Sequence, residues 1–122
     1  MKRLKKIDGS CAVVALLYCS GMDEETVIRV CQFHGFEAGK GMTDDEWHAA
    51  ARDLKIKFRL VAMKPCTLGQ FIKNHPKGLY LIGTHDHLFV VDNGIIVDPR
   101  NTNPPGLKRS VKQSWRVTKN PV

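Results

Sequence analysis

The 122-residue sequence has few of the features that mark membrane, fibrous or low-complexity proteins. It has no apolar run near the roughly 18–20 residues that a membrane-spanning helix requires, so we predict no membrane span. Ten glycines and six prolines are too few for a collagen-like or low-complexity chain. Aromatic residues make up only 7% of the chain, which disfavours a protein that stacks single-stranded bases. The remaining composition is globular and predicts one domain over residues 1–122.

The sequence also lacks any Cys-x-x-Cys pair among its four cysteines, which argues against a zinc ribbon and a thioredoxin-type redox site. We interpret Cys19, Cys31 and Cys66 as small core residues of a reduced protein. The basic start of the chain resembles the first part of a signal peptide. However, residues 8–10 separate it from the apolar stretch that follows, and that stretch is short. We therefore predict a cytoplasmic protein.

Positive charge is in excess, with 19 Lys and Arg against 12 Asp and Glu and a formal net charge of +7. Much of it lies near the two ends of the chain, in a basic N-terminal segment (1–7) and in residues 100–119. We interpret these stretches as solvated surface, with 118–122 as a tail. Binding of nucleic acid or an acidic protein through the basic face stays open.

Helical signals fill the first half of the chain. Residues 11–19 are apolar almost all round, as in a buried helix, and 23–33 follow with acids in the first turn. Thr43 with Glu46 is typical of a capping box and predicts a third helix. Thr67 predicts a short fourth helix that ends at residue 72 or 73.

The period changes to two in the second half of the chain, which indicates strands. We predict them over 56–62, 79–83, 87–91, 95–98 and 110–117. Asp92-Asn93-Gly94 is a hairpin signal because Asn-Gly accepts the positive φ of a type I′ turn. Helices followed by an antiparallel sheet predict an α+β fold.

Cys11 stands at the start of the first helix, after Asp8-Gly9-Ser10. A helix N-terminus carries a partial positive charge and unpaired N–H groups, which favour the nucleophilic thiolate. The same N–H groups can stabilise an oxyanion. Cys11 is therefore either a nucleophile or a small residue at a helix start.

A thiolate nucleophile needs an imidazole, and the imidazole needs a third group to orient it. If Asn93-Gly94 is the two-residue turn, His87 and Asp98 are diagonal neighbours on one sheet face. If Asp92-Asn93 is the turn, they pair directly. Both registers place the imidazole and the carboxylate within reach of each other.

A Cys at the start of a buried helix, a later strand that begins at His87 and a strand that ends at Asp98 together resemble the papain-like cysteine peptidases. The order is most similar to their small bacteriocin-processing (C39-like) branch, over roughly residues 8–99. The resemblance implies a minimal papain-like fold and an enzyme that cleaves peptides or proteins without a cofactor. It implies Cys11 as nucleophile, His87 as general base and acid, and Asp98 as the orienting residue.

The resemblance also indicates where to look for the groups that stabilise the oxyanion formed when the thiolate attacks a carbonyl. The papain-like position six residues before the nucleophile usually holds Gln, and here it is Lys5. Lys5 can supply a cation, or the turn at Asp8 and Gly9 can supply backbone N–H groups. Asp-Gly-Ser-Cys is similar to the start of the ovarian-tumour deubiquitinases, a related fold with the same chemistry.

Two alternatives to an active cysteine peptidase follow from parts of the sequence. Thr84-His85-Asp86-His87 resembles the start of the metallo-β-lactamase motif, but the Asp-His that completes that motif is absent, so we predict no metal site. The second alternative is a catalytically silent papain-like domain that binds partners through its basic surface.

Overall fold

The computed structural model of the chain describes residues 11–37, 40–85, 87–97 and 106–118. These ranges contain four helices and seven strands. The helices are α1 (Cys11–Ser20), α2 (Glu24–Phe33), α3 (Asp44–Asp53) and α4 (Leu68–Asn74). The strands are β1 (Lys57–Leu60), β2 (Cys66–Thr67), β3 (Leu79–Gly83), β4 (Leu88–Asp92), β5 (Ile95–Val97), β6 (Ser110–Val111) and β7 (Gln113–Thr118).

Five strands form one sheet in the order β1-β7-β3-β4-β5, and every neighbouring pair is antiparallel. β2 and β6 form a separate antiparallel pair. Because α1, α2 and α3 all precede this sheet in the chain, the predicted α+β class is confirmed.

The helices begin where the sequence places capping residues. The Asp23 side chain accepts a hydrogen bond from the Thr26 N–H at the start of α2. Thr43 and Glu46 form the predicted capping box of α3, and Thr67 caps α4 in the same way. Each cap satisfies N–H groups that the first helical turn leaves unpaired, which fixes where the helix starts.

The β4–β5 hairpin adopts the first of the two predicted registers. Asn93 and Gly94 have φ angles of 50° and 81°, as a type I′ turn requires, and Asp92 pairs with Ile95. The strand predicted from residue 87 begins one residue later, at Leu88.

Two strand predictions need correction. The strand predicted over 56–62 covers only Lys57–Leu60, and Leu60 is 60% exposed although its position in the alternation predicts burial. β1 is an edge strand, and Phe58 is the one residue of this strand that packs against the core between the sheet and helices α1, α2 and α3. Alternation predicts the face of the sheet on which a side chain lies, but not how far the helices cover that face.

The strand predicted over 110–117 is two strands, β6 and β7, that belong to different sheets. The break is at Lys112, whose N–H donates to the Gly83 carbonyl at 2.8 Å. β7 also runs one residue into the predicted tail, because Thr118 pairs with Lys57.

The five-stranded sheet is covered on both faces. On one face, α1, α2 and α3 pack against alternate residues of β3, β4 and β7 in a helix-side core that includes Leu16, Trp47, Leu81, Val90 and Trp115. On the other face, α4 and the β2–β6 pair cover a smaller core that includes Phe71, Tyr80, Ile82, Phe89 and Val111. In the described ranges, no helix has both the length and the apolar character needed to cross a membrane.

Candidate active site

α1 and β4 run side by side in the same direction, and polar contacts join them at both ends. The thiol of Cys11, the first residue of α1, forms hydrogen bonds with His87 and Leu88 at the start of β4. In the last turn of α1, the Tyr18 hydroxyl donates to Oδ2 of Asp92 at 2.6 Å, at the end of β4. Between these contacts, Ala12 to Leu16 are buried. The helix is therefore fixed along the strand that follows His87.

Cys11 and His87 form a thiol–imidazole pair at the helix N-terminus. Burial by itself raises the pKa of the Cys11 thiol, whereas its hydrogen bond with the His87 side chain lowers it. Backbone hydrogen bonds with Leu88 and Ala12 and the charge of His87 act in the same lowering direction. The net effect is a pKa below the ordinary value for a thiol. His87 is itself only 8% exposed, so its side chain is largely shielded from water.

Cys31, in the last turn of α2, shows what burial does to a thiol in the same core. Its side chain is completely buried, and this burial raises the pKa of its thiol to about 11. The two cysteines share a chemical group and a hydrophobic core. The contacts with His87 and Leu88 therefore account for the opposite direction at Cys11.

The turn between β3 and β4 holds His87 in place. The Thr84 N–H donates to the His87 carbonyl at 2.9 Å, and the Thr84 hydroxyl donates to the same oxygen at 3.3 Å. The His87 ring also stacks on Phe89, with ring centroids 5.5 Å apart. These contacts restrict both the backbone and the ring of the imidazole.

A cleft of about 360 Å³ opens over Cys11 and His87. Its walls are the starts of α1 and α3, the turn after β3, and the start of β7. The residues besides Cys11 and His87 that line it include Met42, Thr43, Asp44, Trp47, Gly83, His85, Lys112, Gln113 and Trp115. The thiol therefore lies where a substrate can reach it.

The back wall of the cleft is aromatic. Trp47 and Trp115 meet edge to face with centroids 4.9 Å apart, and the Trp47 Nε1–H donates to Asp44 Oδ1 at 3.0 Å. Gly83 lies beside Trp115, and a Cβ at that position would come within 3.3 Å of the indole ring. A side chain at residue 83 would therefore press on this wall.

His85 and His87 both line the cleft, and His87 is the one hydrogen-bonded to the Cys11 thiol. Asp98, the predicted orienting residue, lies outside the described residues, as do the oxyanion candidates Lys5, Asp8 and Gly9. Among the described residues, no group of three or more His, Cys, Asp or Glu could hold a metal ion.

Sequence reasoning missed most of the cleft wall. Lys112 and Gln113 reach the site because β7 inserts beside β3, and the start of α3 reaches it through helix packing. The Thr43 cap is the one signal that marks this part of α3. Nothing in the local pattern indicates which strand β7 pairs with.

This arrangement can generate a nucleophile. An imidazole hydrogen-bonded to a thiol takes up its proton, and the thiolate that results points into an accessible cleft. A search of protein-family models finds no match to this chain, and searches of curated proteins and of solved structures find none either.

Proposed function

We propose that the protein is a cysteine peptidase or a related thiol-dependent amide hydrolase of the papain-like type, similar to the bacteriocin-processing branch. The observation that carries the proposal is the hydrogen bond between the Cys11 thiol and His87 at the start of a buried helix, below an open cleft. The lowered pKa of Cys11, despite its burial, is the expected property of a nucleophilic thiol.

In the proposed reaction, His87 removes the proton from the Cys11 thiol, and the thiolate attacks the carbonyl carbon of an amide bond. Protonated His87 then donates its proton to the leaving amine as the C–N bond breaks, which leaves a thioester on Cys11. A water molecule, deprotonated by His87, hydrolyses the thioester and releases the acid. Asp98 as orienting residue, and Lys5, Asp8 and Gly9 at the oxyanion, remain parts of the proposal that rest on the resemblance.

The proposed substrate is a peptide or protein, bound in the cleft between the α3 start and the β7 start. We place the enzyme in the cytoplasm, where a nucleophilic thiol stays reduced. None of the four cysteines, all of which lie in the described ranges, forms a disulfide bond, in keeping with a reduced protein.

The pH dependence of thiol alkylation tests the proposal. An ordinary thiol with a pKa of about 8.5 is only about 1% ionised at pH 6.5, so it reacts slowly with iodoacetamide there. We expect one thiol of the four to react rapidly, with a rate that stays nearly flat down to about pH 5. Peptide mapping should place the label on Cys11 and leave Cys31 unlabelled in the folded protein.

A Cys11 rate that instead climbs about tenfold per pH unit up to about pH 8.5 would contradict the proposal. It would favour a catalytically silent domain that binds through its basic surface. Cleavage itself is tested by incubating the protein with a mixture of synthetic peptides and reading the products by mass spectrometry. The matched control is Cys11→Ser, which keeps the size of the side chain and should produce no cleavage.

A further inference from the structure

A second cavity, of about 540 Å³, lies on the face of the sheet opposite the helix-side core, against α4. Its walls are the segment from Ala62 to Cys66 and the outer part of α4 from Gln70 to the C-cap residue His75. Small-molecule sites occupy about 300–1,000 Å³. The cavity is therefore large enough for an organic ligand, and the proposed catalysis does not use it.

The polar part of this cavity is rich in hydrogen-bond donors and positive charge. Lys64 and Lys73 approach it from its two walls, and Asn74 adds a side-chain amide. None of the described residues that line the cavity is Asp or Glu. This lining favours a ligand with a concentrated negative charge.

The hydrogen bonds around His75 leave one of its ring nitrogens available to a ligand. Arg116 Nη1 donates to the Tyr80 hydroxyl oxygen at 3.0 Å, so the single Tyr80 proton is available for another acceptor. His75 Nδ1 lies 3.4 Å from that hydroxyl, and whether it donates or accepts depends on the tautomer of the ring. In the tautomer that carries its proton on Nε2, Nδ1 accepts from Tyr80 and the Nε2–H is a free donor for a ligand. A bound anion favours this tautomer, because the Nε2–H donates to it.

The rest of the cavity is apolar and rigid. Phe71 is almost completely buried, and its ring packs on that of His75 with centroids 4.6 Å apart and planes inclined by 32°. Met63 and Pro65 form the opposite side. The Ser114 hydroxyl donates to the Met63 sulfur at 3.1 Å, which holds this side chain in place. Met63 and Pro65 therefore give a bound ligand an apolar surface, with Phe71 buried behind it.

We propose that this cavity binds a small phosphate monoester that carries a flat apolar group. The phosphate, with a charge of about −1.5 to −2 at neutral pH, lies between Lys64, Lys73 and the His75 Nε2–H. The flat group lies against Met63 and Pro65. This site is separate from the Cys11 cleft and does not depend on the proposed peptidase activity.

The test is an NMR titration of the ¹⁵N-labelled full chain with phenyl phosphate, inorganic phosphate, benzoate and benzyl alcohol. Phenyl phosphate should shift the amide signals of 62–66 and 70–75 and saturate with a Kd below about 1 mM. Inorganic phosphate lacks the apolar group, benzoate lacks the second negative charge, and benzyl alcohol lacks the anion. Each of these three probes should bind at least about tenfold more weakly than phenyl phosphate.

Two pairs of variants separate the site from general electrostatic attraction. The double variant Lys64→Gln/Lys73→Gln should weaken phenyl phosphate binding by about tenfold or more. The control Lys40→Gln/Lys57→Gln removes the same charge from exposed positions outside the cavity and should leave the Kd within about twofold. All four lysines are exposed, so these variants should fold normally.

His75→Phe keeps a ring on Phe71 but removes the N–H donor, and should weaken binding by about threefold or more. The proposal is overturned if phenyl phosphate does not saturate, if its shifts fall outside the two segments, or if benzoate or inorganic phosphate binds as tightly. Equal loss of affinity in the two lysine pairs would also overturn it.

Discussion

At each end of the α1–β4 pair, a side chain that can lose a proton is hydrogen-bonded to a side chain that can accept one. The pKa of the proton donor is lowered at one end and raised at the other. At the N-terminal end of α1, the contacts of Cys11 with His87 and Leu88 outweigh its burial, and the pKa of the thiol is lowered. At the C-terminal end, burial and the carboxylate of Asp92 both raise the pKa of Tyr18, to about 12.

The difference comes from the charge of each base and from the helix. An imidazole is neutral until it accepts the proton, and its pair with a thiolate then gains from the positive end of the helix dipole. An ionised Tyr18 would lie in contact with the carboxylate of Asp92, and the repulsion between them raises the pKa of Tyr18. The same helix and strand therefore hold a thiol whose pKa is lowered at one end and a phenol whose pKa is raised at the other.

The largest expected effect is the loss of the reactive pair. Without the imidazole, His87→Ala leaves Cys11 an ordinary buried thiol, and its iodoacetamide alkylation near pH 6.5 should slow by up to about 100-fold. The measurement is the second-order rate constant, read by peptide mapping. His85→Ala is the matched control and should leave the rate within about threefold. The reverse pattern would show that His85 is the base.

The next effect compares the buried thiol of Cys31 with the partly exposed thiol of Cys11. Cys31→Ser places a hydroxyl in the helix-side core where Cys31 is completely buried, and should lower the free energy of unfolding by about 2 kcal/mol. Cys11→Ser lies at the partly exposed helix start and should change it by less than about 1 kcal/mol. Urea denaturation measures both. Equal losses would mean that the two sites are buried alike.

Tyr18→Phe tests the structural end of the pair. Loss of the hydrogen bond to Asp92 should lower the free energy of unfolding by about 1 kcal/mol at neutral pH. Because the pKa of Tyr18 is raised in the folded protein, its contribution is present below the ordinary value of 10.0 and is lost as pH rises towards about 12. The destabilisation by Tyr18→Phe should therefore shrink over this window in urea titrations. A difference that stays constant from pH 9 to 12 would contradict this.

An effect of similar size compares the two faces of the sheet. Thr43→Ala and Thr67→Ala each remove a capping box, one from α3 at the cleft and one from α4 beside the second cavity. Each should lower the free energy of unfolding by about 1 kcal/mol, whereas Thr→Ser at either position should keep most of the stability. Thermal unfolding of the four variants checks this. If only one of the two Thr→Ala variants lost stability, the capping box at the other threonine would not contribute to the stability of the fold.

Features that depend on neighbouring residues could be predicted from the sequence. The caps at Thr43 and Thr67 and the Asn93-Gly94 turn each involve residues a few positions apart, so the local pattern is sufficient. The two-residue period of a hairpin also indicates His87 as a candidate base, because it determines which face of the sheet each side chain occupies.

The features of the fold and the cleft that could not be predicted depend on contacts between segments distant in the sequence. The break at Lys112 is invisible locally because it arises when β6 pairs with β2 while β7 pairs with β1 and β3. Exposure of Leu60 depends in the same way on where the helices end. The walls of the cleft at Gln113 and Trp115 were missed for this reason, since a two-residue period does not specify a partner strand.

The position of β7 has a consequence for how the molecule is made. This strand follows the six others in the chain yet lies between β1 and β3, so β1 has no neighbour in the sheet until β7 is in place. The α1–β4 contacts also join distant parts of the chain, since Tyr18 and Asp92 are 74 positions apart in the sequence. During synthesis Cys11 leaves the ribosome well before His87, and non-local pairings of this kind form slowly. Under the proposed function, the nascent chain carries an ordinary thiol, and reactivity arises only when the late strands complete the sheet.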